Sequence, residues 1–296
     1  MRAAGLNAFR VWGAILLLGL GVQTGWAKPA GRWDQFRFWD RPQKEKPVAP
    51  VEELYDQAMR YYQGRETWFR RSLPFRRDSA GELRSWAVRH NYPKAIKLFQ
   101  DVVTHYPYSK YTPLSELHVA DCQFAMEDYE EAGAGYESFI KFHPVHAEVA
   151  YATYRLGLCH YHRRLKHYRD QTETKAAATQ FQIVLARYPA SPYAAEIEPL
   201  LLDCRERLAR HELDVGDFYF RHGKYWASAM RYAAIGESYA DMAFADQALF
   251  QEAQSYDRLQ RFPEATERYQ RLLDRYPESG FAPNSRSRLD GLQVSP

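Results

Sequence analysis

The densest run of groups able to bind a metal or move a proton is Cys159-His160-Tyr161-His162-Arg163-Arg164-Leu165-Lys166-His167. His160 and His162 lie two positions apart, so on a helix they point in different directions and do not share a metal. The neighbouring cations oppose a metal as well. The run reads instead as the solvated end of a helix, where cations complement the negative end of the helix dipole. His143-Pro144-Val145-His146 frames a turn, and Glu130 with Glu131 falls on an exposed helix face. No acid–base pair emerges from these groups. A Gly-rich phosphate loop, a GxSxG elbow, an HExxH helix and paired CxxC motifs are all absent from the sequence. No catalytic residue, metal site or cofactor is expected. Cys122, Cys159 and Cys204 are odd in number and widely spaced, which is no disulfide framework. Each sits in a segment that reads as an amphipathic helix, where a thiol behaves as a small apolar group.

The elements carrying these residues repeat. Ala132 is followed by Tyr136, His143 and Pro144. The same offsets join Ala95 to Phe99, Tyr106 and Pro107, and Ala177 to Phe181, Tyr188 and Pro189. They also join Ala265 to Tyr269, Tyr276 and Pro277, while Ser228, Tyr232, Tyr239 and Ala240 form a weaker copy. A small residue lets two helices approach, and the aromatic four later fills the gap on the same face. The proline, with no N–H and a fixed φ, ends the helix. Tetratricopeptide units have this arrangement at a period of ~34 residues. The expected fold is therefore all-α, a right-handed superhelical solenoid of five tetratricopeptide-like helix pairs over 51–277. The uneven spacing of positions 107, 144, 189, 240 and 277 predicts units of unequal length.

The helices are placed at 51–63 with 92–105, 113–126 with 129–142, 147–165 with 173–187, 193–221 with 224–238, and 243–259 with 263–275. An insertion at 64–91 splits the first pair. It interleaves Arg65, Arg70, Arg71, Arg76, Arg77 and Arg84 with Trp68, Phe69, Phe75 and Trp86. It reads either as a solvated loop whose aromatics pack on unit one, or as a binding loop for an anionic or aromatic partner. The tail 278–296 is rich in Gly, Pro, Asn and Ser and reads as frayed, with Ser287 to Leu292 available as a cap. Residues 28–50 hold four prolines and read as an extended linker, unusual in carrying Trp33, Phe36, Phe38 and Trp39. Residues 1–27 have Arg2 and Arg10, an apolar run from Val11 to Val22, and Gly25-Trp26-Ala27. That is a secretory signal peptide, or an uncleaved anchor.

The 296 residues are 15% aromatic and 46% apolar, with a formal charge of +3. This is not the composition of a disordered chain, and the charge gives no reason to expect nucleic acid as a partner.

Several segments occur together in one order. They are Tyr106-Pro107-Tyr108-Ser109-Lys110-Tyr111, then Phe139 through His146, Tyr154-Arg155-Leu156-Gly157-Leu158 and Asp170-Gln171-Thr172. Arg187-Tyr188-Pro189-Ala190-Ser191-Pro192-Tyr193 follows, then Leu208-Ala209-Arg210-His211-Glu212-Leu213, leading to Tyr219, Arg221, Gly223 and Tyr225. Over about residues 51–278 the chain resembles the BamD family, tetratricopeptide lipoproteins of the outer-membrane β-barrel assembly machine. The resemblance implies a non-enzymatic scaffold at the periplasmic face of the cell outer membrane, associated peripherally with it. The implied partners are a BamA-like insertase, held by the C-terminal units, other subunits of the machine, and unfolded outer-membrane protein clients at the N-terminal units. By position, Arg221, Tyr225 and Arg231 resemble the partner-contact region, and Tyr108 and Tyr111 border the N-terminal groove. Ordinary helix packing is the competing reading for the tyrosines, and a solvated face for Arg231. The family's lipidated cysteine has no counterpart at the end of the signal. That departure leaves open a periplasmic adaptor of another envelope system, in peptidoglycan or motility machinery.

Overall fold

The computed structural model describes residues 48–66 and 88–294. The signal segment, most of the linker, and Trp68 through Trp86 of the insertion lie outside the described residues. The described residues form eleven α-helices, which pack in chain order, each on its sequence neighbours. Unit one pairs α1 (Val51–Tyr62) with α2 (Tyr92–His105), and unit two pairs α3 (Thr112–Ala125) with α4 (Tyr129–Phe142). Unit three pairs α5 (Val149–Arg163) with α6 (Thr172–Arg187), and unit four pairs α7 (Ala194–Arg221) with α8 (Tyr225–Ser238). Unit five pairs α9 (Ala245–Arg258) with α10 (Phe262–Arg275), and α11 (Ala282–Val294) follows. Two two-residue strands, β1 (Arg65–Glu66) and β2 (Val88–Arg89), pair antiparallel where the insertion leaves and rejoins the chain. The result is an all-α solenoid of helix pairs, and every placed helix agrees with the sequence reading within two residues.

The repeat signature is the core. Ala95, Ala132, Ala177, Ser228 and Ala265 are wholly buried, as are the aromatics four residues on, Phe99, Tyr136, Phe181, Tyr232 and Tyr269. Each such ring contributes about 2–3 kcal/mol by leaving water. In units three and four the ring lies against a glycine of the partner helix. A Cβ on Gly157 would come within 2.7 Å of the Phe181 ring, and one on Gly216 within 2.6 Å of the Tyr232 ring.

In units one and five the aromatic before the proline reaches back to the neighbouring backbone. Tyr276 Oη donates to the carbonyl of Ala240 in the preceding turn at 2.9 Å, and Tyr106 Oη donates to the carbonyl of Ala49 at 2.8 Å. His143, at the same place in unit two, meets the Glu116 carboxylate on α3 at 2.8 Å. The turns between units therefore lie side by side along one edge. At the opposite edge, the turns inside units two, four and five each need a left-handed residue. Glu127, Gly223 and Gln260 supply it, with φ of 66°, 70° and 58°.

The tail is helical rather than frayed, and the segment Ser287 to Leu292, expected as a cap, lies within its helix. Residues 282–294 are helical, and Ala282, Ser285 and Leu289 are buried against unit five. Arg288 binds Asp257 through two hydrogen bonds of 2.6 Å. The apolar spacing of this helix is sparse, so composition pointed to fraying.

Candidate functional site

Two regions gather polar chemistry. The first is sealed. Asp121 on α3 is 3% exposed, and its Oδ1 accepts hydrogen bonds from Tyr136 Oη of α4 at 2.6 Å and Tyr151 Oη of α5 at 2.8 Å. Its Oδ2 lies 3.2 Å from His118 Nδ1. Arg155 of α5 brings its Nε within 3.8 Å of the carboxylate, donates to Tyr136 Oη at 3.1 Å, and lays its guanidinium 3.7 Å from the centre of the Phe124 ring. Burial, then the Asp121 charge, pushes the Tyr136 and Tyr151 phenols far up, so both remain donors. One carboxylate thus ties units two and three, a structural role the sequence reading did not single out.

The second region is open. The α5–α6 loop is stitched down by its own motif. Gln171 is buried, and its Nε2 donates to the carbonyls of Lys166, Arg169 and Asp170 at 2.8, 3.0 and 3.1 Å. Thr174 Oγ1 closes the amide's other side by donating to Gln171 Oε1 at 2.9 Å. Asp170 Oδ1 accepts the N–H of Thr172. The loop is fastened to the long α7 by His211 Nδ1, 2.6 Å from the His167 carbonyl, and by His167 Nδ1, 2.5 Å from Asp214 Oδ2. The Asp-Gln-Thr and His-Glu motifs are therefore the two halves of one joint. Against it lies a groove of about 480 Å³ lined by His167, Tyr168, His211, Asp214, Phe218 and Arg221. Phe218 and Tyr168 leave 50% and 59% of their surfaces in solvent.

The five residues expected at partner contacts fall in different settings. Arg221 ends α7 at the groove's rim, exposed, and has no ion pair or hydrogen bond from its side chain among the described residues. Arg231 is also exposed, but its Nη1 is held by Glu212 at 2.9 Å. Tyr225 is half-buried and packs edge-on against Phe220 at 5.3 Å. Tyr111 packs on Tyr55 at 4.8 Å with its ring tilted by 34°, where Tyr193 stacks on Tyr154 at 4.9 Å and Phe281 on Phe250 at 5.0 Å. Its first role is thus a packing contact that recurs between units. Tyr108 is fully exposed. The structure does not bring the two groups of residues together: Tyr108 and Tyr111 belong to the turn before unit two, the other three to unit four.

His160 and His162 diverge. His160 Nδ1 lies 2.7 Å from Glu173 Oε2, whereas His162 stacks on Tyr129 at 4.7 Å. The three cysteines are buried and free. Burial first pushes Cys122 and Cys159 up to about 12 and Cys204 up to about 11, so their thiols stay protonated and inert.

Comparison with known proteins joins this geometry to a family. The family described as "YfiO: Outer membrane lipoprotein" matches residues 85–264, from unit one to the start of α10. The chain belongs to the YfiO/BamD family. Among curated members of the family, the outer membrane protein assembly factor BamD of Caulobacter vibrioides is 27% identical over 57% of this chain and 55% of its own length. The chain thus spans little more than half of that relative. The BamD of Vibrio cholerae is 28% identical over 62% of this chain and 80% of its own. Among solved structures, the TPR2AB domain of yeast Sti1 in complex with pHSP90 covers 69% of this chain and 77% of its own, at 13% identity and a TM-score of 0.34. Both halves of the joint between the α5–α6 loop and α7, and Arg221 itself, lie within the span the family matches.

Proposed function

We propose that this chain is a non-enzymatic periplasmic scaffold of the outer-membrane β-barrel assembly machine. It holds a BamA-type insertase at the end of α7 and the start of α8, and receives unfolded barrel clients at its N-terminal units. The observation that carries the reading is Arg221: an exposed guanidinium, unpaired among the described residues, beside the half-exposed Phe218 at the rim of a groove built by the motifs described above. Arginine next to an aromatic at a concave rim is the composition of an interface anchor. Such a site suits a folded partner domain that offers a carboxylate beside an apolar side chain. The assembly-factor names of the relatives support the same assignment.

The test is affinity capture of a BamA-like barrel protein from solubilised membranes. Arg221→Glu is expected to weaken capture at least about tenfold, since charge reversal at an anchor costs upwards of ~1.4 kcal/mol. Arg231→Ala, which also releases Glu212, is expected to do less. Both proteins should melt with the parent. Recovery of the parent protein from membranes with no such partner would overturn the assignment.

A further inference from the structure

The turns between units are equivalent positions in a repeat, so their tips can be compared directly. Two residues beyond the aromatic or histidine that precedes the proline, or Ala240 in its place, the tips are Tyr108, Val145, Ala190, Asp241 and Glu278. The first two are 100% and 97% exposed, and Phe142, just before the second turn, is 68% exposed. Lys110 and Lys141 stand beside them, exposed, with their ammonium groups 4.9 Å and 5.6 Å from the rings of Tyr111 and Phe142. Glu116, at the root of this edge, is engaged by His143, and the one acid within the two turns, Glu148, is partly buried. In the last two turns the same edge carries carboxylates instead, and Asp241 is bound by Arg205 at 2.7 Å. One stretch of the edge is thus apolar and basic, and the other acidic.

We infer that Tyr108, Phe142 and Val145 dip into a membrane surface bearing anionic headgroups, with Lys110 and Lys141 meeting the phosphates. The shape separates this from a protein interface. A protein anchor is seated in a pocket and packed by its neighbours. Here Tyr108 and Val145 stand almost wholly in solvent and Phe142 mostly so, as side chains must if acyl chains and headgroups are to surround them. A tyrosine and a phenylalanine suit the interfacial layer, and lysines at that depth are drawn to anionic lipid. Among the described residues no helix is long and apolar enough to cross a membrane, so attachment by this edge is peripheral.

The inference is independent of the insertase contact at Arg221 and can fail without it. The probe is the full chain with a bimane fluorophore on Val145→Cys, a single accessible thiol because the native three are buried. Vesicles of phosphatidylethanolamine with phosphatidylglycerol should shift the emission to the blue, and vesicles of phosphatidylcholine alone should shift it less. The same label on Glu278→Cys should not respond. Lys110→Gln with Lys141→Gln should weaken the response about twenty-five-fold, from roughly fivefold per lysine. Replacing Tyr108, Phe142 and Val145 together by serine should lower vesicle co-sedimentation without changing the melting temperature. No shift at position 145, an equal shift at 278, or a shift that needs an added protein partner rather than lipid would each overturn it.

Discussion

Asp121–Tyr136 in unit two and Asp217–Tyr232 in unit four are the same device in two surroundings. In each, a carboxylate on the first helix accepts the hydroxyl of the repeat's buried tyrosine at 2.6 Å, fifteen positions along the chain. Around Asp121 the space is filled by Tyr151, His118 and Arg155, and the carboxylate is buried. Asp217 is only partly buried, and one turn further along α7 stands Arg221, unpaired among the described residues. The difference lies in what the flanking helices bring: α5 closes the first lock with Tyr151 and Arg155, whereas α7 runs for 28 residues and leaves its last turn uncovered. An identical repeat contact thus becomes a rivet in one unit and the floor of an open surface in another.

That contrast can be broken by experiment. Asp121→Ala strands two phenols and leaves the half-buried Arg155 cation without its carboxylate, so a loss of about 3–5 kcal/mol is expected in denaturant unfolding. A loss no larger than that of Asp217→Ala would show that the two locks do not differ. Gly216→Ala and Gly157→Ala each force a methyl against a ring at under 3 Å, and about 1–3 kcal/mol should be lost in each. In unit four the displaced Tyr232 should also loosen its hold on Asp217, so Gly216→Ala alone is expected to weaken partner capture; equal capture by both variants would remove that link. Asp217→Ala orphans a single hydroxyl, at about 1–2 kcal/mol.

The smallest effect is in pH. Burial, then Arg164 and Arg155, holds the His162 imidazole below its ordinary 6.5. The folded protein therefore prefers the neutral ring. The contribution is present in full above pH 6.5 and is lost as pH falls through the lowered folded value. His162 is exposed, which keeps the loss below about 0.5 kcal/mol. Melting curves of parent and His162→Gln between pH 7.5 and 5.5, about a unit either side of the ordinary value, should converge on the acid side if this sign is right.

Helices and pairing were legible because proline, small residue and aromatic recur at fixed offsets, and each has one mechanical job. The joint between the α5–α6 loop and α7 was visible only as two motifs far apart in sequence, since nothing in either shows that Gln171 is the buried member or that His211 reaches back to His167. The sequence did hold the Asp–Tyr spacing of both locks, but an isolated aspartate on a helix reads as solvated. Arg221 and Arg231 were indistinguishable by type, and Glu212 separates them only in three dimensions. The tail was legible only as a short cap, because the buried residues of its helix, Ala282, Ser285 and Leu289, are too small and too sparse to mark a periodic face.

The last helix has a further consequence. In a stack where each layer touches only its neighbours, stability travels like a zip rather than as one sum. By covering Tyr269 and Leu272 of unit five and clasping Asp257 with Arg288, α11 works as the stop at the end of that zip. Opening that begins at the C-terminus must first release this stop, then unit five, before it reaches the turn that carries Arg221. Amide exchange along the chain would therefore run as a gradient from α11 inward, and the contact surface proposed for unit four would inherit part of its lifetime from the last helix.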